Sequence, residues 1–176
     1  MRIIGWILAL VGLVAVAPAL AEVKHVSEGG FEVASTAVVT APPSAVYATL
    51  IMPSRWWSAA HSYSGDARNM AIDARAGGCF CEVLPPDGAV EHGRVIFAQP
   101  GKMLRIDGAL GPLQAMATVG RLTFMLEPEG TGTKVTMTYV VGGYTSGGAS
   151  QFAAPVDQVL GEQLASLKAA IDAQRQ

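Results

Sequence analysis

The stretch QFAAPVDQVLGEQLASLKAAIDA, residues 151–173, has the clearest period in the chain. Phe152, Val156, Val159, Leu160, Leu164, Leu167 and Ile171 recur at intervals of three and four. That spacing draws one apolar stripe along an α-helix. Pro155 marks its first turn or bends it. A helix with a single apolar face must bury it against another surface. The segments upstream supply that surface, because most of them read as strands.

The runs FEVASTAVVT (31–40), CFCEVL (79–84), VEHGRVIFA (90–98), MLRIDGAL (103–110), AMATVGRLTFMLEP (115–128) and TKVTMTYVVGGY (133–144) alternate or nearly so. Alternation is the pattern of strands with one face on a core. It puts Leu122, Phe124 and Leu126 on one face, and Val135, Met137, Tyr139 and Val141 on another. Between the first run and the second lies APPSAVYATLIMPSRWWS. Pro42 and Pro43 suit a helix start, where the missing N–H is not needed. Val46, Tyr47, Leu50 and Ile51 share a helical face, and Pro53 ends that helix or opens a shorter one carrying Trp56 and Trp57.

Residues 1–21, MRIIGWILALVGLVAVAPALA, read as a secretory signal peptide. Arg2 precedes an apolar run that is short for a bilayer span. Pro18 breaks the run, and Ala19-Leu20-Ala21 has the small-x-small form of a cleavage site. The expected location is the periplasm or outside the cell, with no stable membrane insertion after cleavage. Removing Arg2 leaves eleven of the 12 basic residues against 14 acidic ones, with no basic cluster. Nucleic acid is therefore not an expected partner. Residues 22–30 are expected as a tail and 31–176 as one domain.

The hairpin CFCEVLPPDGAVEHGRV, 79–95, carries the most chemistry. A PPDG loop pairs Leu84 with Ala89, which places Cys81 opposite His92 and Cys79 opposite Arg94. All four would then share a face. A bulge at Gly88 would instead put Cys81 opposite Glu91. A Cys81 nucleophile with His92 as base would need Asp66 or Glu82 as orienting group, and Glu82 is expected on the opposite face, away from His92. Besides that one, three readings of the cysteines are open. They are small buried residues on a core or cavity wall, the reading preferred here. They are a disulfide, which requires the strand to buckle, since extended residues two apart have Cα atoms about 6.6 Å apart. Or, with His92, they are metal ligands, although the spacing fits no closed zinc site. No metal or cofactor is expected.

The element order and residues together resemble the START-like superfamily, also called SRPBCC or helix-grip, which includes polyketide cyclase-like proteins. The resemblance rests on FEVASTAVVTAPPSAVYATL, the Trp56-Trp57 pair, AGGCFCEV with its hairpin, PGKMLRIDGALGPL, GTKVTMTYVVGGY and VDQVLGEQLASLKAAID. It implies an α+β fold, a curved antiparallel sheet of about six or seven strands around a long carboxyl-terminal helix, with two short helices after the first strand. It also implies a cavity between sheet and helix. No Cys-x-His…Cys-x-x-His cluster is present, so a Rieske centre is not expected.

A small, mostly apolar ligand is the expected partner. The candidate binding residues are Trp56, Trp57, His61 and Tyr63 from the short helices, and Cys79, Cys81, His92 and Arg94 from the hairpin. Phe124, Met137 and Tyr139 join them from the later strands. The alternatives are a cyclase or hydratase using His61, His92 or Tyr63, and a ligand-free envelope protein. GALGPL (108–113) reads as a turn or lid.

Overall fold

The computed structural model describes residues 20–174. The expected signal peptide lies outside the described residues except for its last two positions. The first two strands are β1 (Leu20–Ser27) and β2 (Gly30–Val39), and helix α1 (Pro43–Leu50) follows. Three 3₁₀ turns come next, at Pro53–Arg55, Ala59–His61 and Ala67–Asn69. Then come β3 (Met70–Ile72), β4 (Cys79–Leu84), β5 (Gly88–Gln99) and β6 (Met103–Asp107). A 3₁₀ turn at Gly111–Ala115 leads to β7 (Ala117–Glu129), β8 (Gly132–Tyr144) and the long helix α2 (Ser150–Ala173).

All eight strands form one antiparallel sheet in the order β1-β2-β8-β7-β6-β5-β4-β3. The strand count exceeds the expected six or seven for two reasons. The segment expected as a tail pairs with β2 as β1, and three residues before the Cys strand form β3. β2 and β3 adjoin in the chain but stand near opposite ends of the sheet. The connection through α1 and the 3₁₀ turns therefore crosses the sheet.

Period two fills the concave face. Phe31, Val33, Ala37 and Val39 of β2 are buried, as are Leu104 and Ile106 of β6, the 122/124/126 row of β7, and Val135, Met137, Tyr139 and Val141 of β8. From α2, Leu160, Leu164, Leu167 and Ile171 close onto them. The end of the helix is fastened by polar contacts as well. Lys168 donates to the Val38 carbonyl at 2.9 Å and to Asp172 at 2.6 Å, while Asp172 accepts from the Thr40 N–H at 3.2 Å and hydroxyl at 3.1 Å.

One glycine decides how the sheet closes behind the helix. A Cβ on Gly120 would collide with the Tyr139 hydroxyl and the Gly108 carbonyl. The absent side chain is what lets the Tyr139 ring lie flat there, with its hydroxyl donating to the Gly108 carbonyl and accepting from the Leu110 N–H, both at 2.9 Å. Gly120→Ala is expected to push this hydroxyl off both partners and to cost about 1–3 kcal/mol by overpacking. Gly29→Ala, where a Cβ meets nothing within 4 Å, is expected to stay within about 0.5 kcal/mol. Urea denaturation of the two variants measures the contrast.

Candidate functional site

The first half of α2 packs on the sheet along only one side, where Ala153 is buried. Phe152, Pro155, Val156, Val159 and Leu160 instead face an open pocket of about 480 Å³. Trp57, His61, Ser62 and Tyr63 form a second wall, Leu110, Gly111 and Pro112 a third, and Tyr139 contributes from the sheet. The size falls within the usual range for small-molecule sites. The lining is mostly hydrocarbon, and the polar atoms gather on the His61–Tyr63 side.

Trp56 and Trp57 both point inward, although neighbours on a regular helix cannot. The chain leaves the 3₁₀ turn at Trp56 with φ −143° and ψ −22°, off helical geometry, which permits it. Trp56 stacks edge-on against Phe124 with centroids 6.3 Å apart, deep in the core, and its indole N–H donates to the Leu50 carbonyl at 3.2 Å. Trp57 lies edge-on to Phe80 at 5.5 Å and donates to the His61 carbonyl at 2.9 Å. Trp57 thus forms pocket wall and Trp56 does not.

The segment 58–64 has no regular structure beyond one short turn, so its backbone groups need outside partners. Two buried side chains supply them. Gln163 of α2, fully buried, accepts from the Ser58 N–H at 2.8 Å. Glu82 of β4, 1% exposed, accepts from the Tyr63 N–H at 3.1 Å and the Ser64 N–H at 2.5 Å. His92 completes the arrangement, its Nε2 lying 2.9 Å from Glu82 Oε2. At the mouth, His61 Nε2 stands 3.2 Å from Glu162 of α2.

The charge states follow from these contacts. Burial pushes Glu82 upward, but the hydrogen bonds from Ser64, Tyr63 and His92 outweigh it and hold the carboxyl below its ordinary value. Burial pushes His92 down, and the pull of Glu82 in the other direction is smaller. The pair is therefore an anionic carboxylate and a neutral imidazole. An ionised carboxylate only accepts, so the imidazole Nε2 carries the proton between them. Burial drives the Tyr139 hydroxyl up to about 12, against a lowering from the Leu110 N–H and with a small rise from Asp107. Tyr139 stays protonated and fully engaged.

The hairpin departs from the PPDG-loop register and takes the alternative pairing of Cys81 with Glu91, without a bulge at Gly88. The loop is one residue shorter, so Leu84 pairs with Gly88 and Cys81 with Glu91. A bulge at His92-Gly93 then restores Cys79 opposite Arg94. The extra residue reverses the alternation of β5. His92 consequently points into the core beside Phe80, at a centroid distance of 4.9 Å, while Arg94 points outward and bonds Glu91 at 2.6 Å. Cys79, Cys81, His92 and Arg94 do not share a face. Glu82, expected to point away from His92, is its partner.

The cysteines are joined to each other as a disulfide, half-buried on the outer face. Their Cα atoms are 5.4 Å apart, a contraction of β4 relative to an extended strand that brings the sulfurs within bonding reach. The set of thiols plus His92 does not form. The third group near the sulfurs is Glu91.

Of the expected binding residues, Trp57, His61, Tyr63 and Tyr139 line the pocket. Trp56, Phe124 and Met137 are core, His92 stands behind Tyr63, and Cys79, Cys81 and Arg94 lie outside it. Leu110 and Pro112 lie in the stretch that reads as a lid. Phe152, Val156, Val159 and Leu160 were visible as an apolar stripe, and periodicity alone does not separate a packed stripe from an open one.

The family described as "Activator of Hsp90 ATPase homolog 1-like protein" matches residues 40–172. No curated protein matches the chain at a significant level. Among solved structures, CalU16 from Micromonospora echinospora is similar with TM-score 0.57 and 16% identity, over 89% of this chain and 87% of that one. An uncharacterised protein from Rhizobium leguminosarum is similar with TM-score 0.58 and 22% identity, over 91% and 100%. The Aha1 dimer from Colwellia psychrerythraea is similar with TM-score 0.58 and 18% identity, over 80% and 96%. At these identities the likeness extends to the fold. Among the described residues, no helix is long and apolar enough to cross a membrane.

The Glu82–His92 pair ties stability to pH. An unfolded histidine titrates near pH 6.5, whereas buried His92 resists protonation below that value. The folded protein then binds fewer protons than the unfolded chain. Stability is full above about pH 6.5 and falls as the pH drops through it. Glu82, held low, adds a second loss only as the pH falls below about 4.3. His92→Gln keeps a donor for Glu82 without a titrating group. Between about pH 7.5 and pH 5 its urea midpoint is expected to fall less than that of the wild type.

Proposed function

We propose that this chain, which belongs to the activator of Hsp90 ATPase homolog 1-like family, binds a small, mostly apolar molecule outside the cytoplasm. The observation that carries this reading is the pocket of about 480 Å³ walled by Trp57, the first half of α2 and the 110–112 turn. A flat hydrocarbon or aromatic ligand suits it. Trp57 offers a ring face or edge, and Phe152, Val156, Val159 and Leu160 offer adaptable apolar contacts. His61 and Ser62 supply polar contacts for one hydrophilic end at the mouth. Export rests on residues 1–21. An exported protein would not meet a cytosolic chaperone, so the family description does not supply a partner for this chain.

A cyclase or hydratase needs an acid or base inside the pocket. His61 beside Glu162 is the observation in favour of that reading. Against it, the Tyr139 hydroxyl is held by backbone on both sides, the Tyr63 hydroxyl donates to the Gly111 carbonyl at 3.0 Å, and Arg94 faces away. Binding without chemistry accounts for more of the arrangement. A ligand-free envelope protein would have no use for an apolar pocket left open.

Titration with N-phenyl-1-naphthylamine, an apolar aromatic fluorophore, tests the reading. Val156→Trp fills the pocket and is expected to weaken binding at least about tenfold, with the melting temperature nearly unchanged. Trp56→Phe, in the core and off the pocket, is expected to leave affinity within about threefold. Equal affinity in the wild type and Val156→Trp would remove the pocket as the binding site. If substrate turnover is found instead, its loss in His61→Gln would move the reading to the enzyme.

A further inference from the structure

The Cys79–Cys81 disulfide does not touch the pocket and does not join two parts of the fold. Both cysteines belong to β4, which pairs with β3 and β5 through its backbone. The bond closes a ring across two positions in sequence. In the chain-entropy account a disulfide stabilises most when it closes a long loop, so this one contributes little to stability. Both residues are half-buried on the outer face, where a reductant can reach them. A reachable disulfide on which the fold does not depend belongs to the labile class.

We propose that Cys79 and Cys81 form a reversible redox site, reduced by a dithiol. A thiolate of the reductant attacks one of the two sulfurs. The Cys79–Cys81 bond breaks, a mixed disulfide forms, and the other cysteine leaves as a thiolate that takes a proton. The second thiol of the reductant then displaces the bound cysteine and closes its own disulfide. Two electrons and two protons pass to the cysteine pair.

The position in the sheet gives this exchange a route inward. With the bond in place the two Cα atoms stand 5.4 Å apart, and an extended strand allows about 6.6 Å. Reduction therefore lets β4 lengthen. Phe80 and Glu82 alternate with the cysteines and point the other way. Phe80 carries Trp57, and Glu82 holds the backbone of Tyr63 and Ser64. Any extension of β4 is passed to the wall formed by 57–64. This holds whether or not the pocket binds a ligand.

The purified protein is equilibrated in graded mixtures of reduced and oxidised dithiothreitol, with glutathione as the monothiol arm. Maleimide traps the thiols and intact mass counts them, while far-ultraviolet circular dichroism and tryptophan emission report the fold. The oxidised protein is expected to take no maleimide and the reduced protein two, one for each cysteine of the chain. Dithiothreitol is expected to complete the conversion reversibly without denaturant, with glutathione stopping at a mixed disulfide. Circular dichroism should hold while the emission shifts. The double variant Cys79→Ser, Cys81→Ser is expected to show the reduced emission under both conditions. Reduction that requires denaturant, loss of the fold on reduction, or free thiols in the air-purified protein would overturn the redox site. An emission unchanged by reduction would overturn its link to Trp57.

Discussion

A carboxylate shut away from water must be surrounded by donors, and Glu82 organises one side of this molecule for that reason. Two backbone N–H groups and one imidazole meet it, and all three come from parts of the chain that gain from being held. The Tyr63–Ser64 backbone lacks helix or sheet partners of its own. The imidazole fills the space that the bulge in β5 opens. With Glu82 in place, the segment from Ser58 to Ser64 becomes a wall, anchored at one end on the sheet and at the other on Gln163 of α2. Anionic carboxylate and neutral imidazole form a consistent pair, because a single proton lies between them and the backbone donors stabilise the charge.

The opposite wall is set by a hydroxyl. Tyr139 is buried, and its oxygen engages both Gly108 and Leu110, so the start of the 108–113 turn is fixed from inside the sheet. Tyr63 reaches the same turn from outside through Gly111. The two tyrosines contribute as supports. Their hydroxyls are occupied, and the ring surfaces are what face the pocket.

Much of the architecture was legible in the sequence, because period is a direct record of which side of an element is buried. The stripe from Phe152 to Ile171 and the rows in β7 and β8 identify helix, sheet and core. The hairpin was less legible, since a single inserted residue changes every facing that follows it. Gly93 inside VEHGRVIF was the available signal, because a glycine within a strand often marks a bulge. The disulfide is legible only as a less favoured reading, because ideal strand dimensions argue against it and β4 does not keep them at Cys79 and Cys81. The pocket was half legible. Alternation and helical spacing show which residues turn inward, but whether opposing side chains meet depends on the angle of α2 across the sheet.

The sheet order has a consequence for how the chain reaches this state. β2 runs its whole length against β8, from Gly30 beside Gly142 to Val39 beside Thr133. This junction, one strand in from the β1 edge of the sheet, therefore joins two strands that five others and α1 separate in sequence. Such non-local pairing makes folding slow, because a large loop must close before it is rewarded. A nascent chain lacking β8 has no partner for the inner edge of β2, and that edge stays open until β8 has emerged.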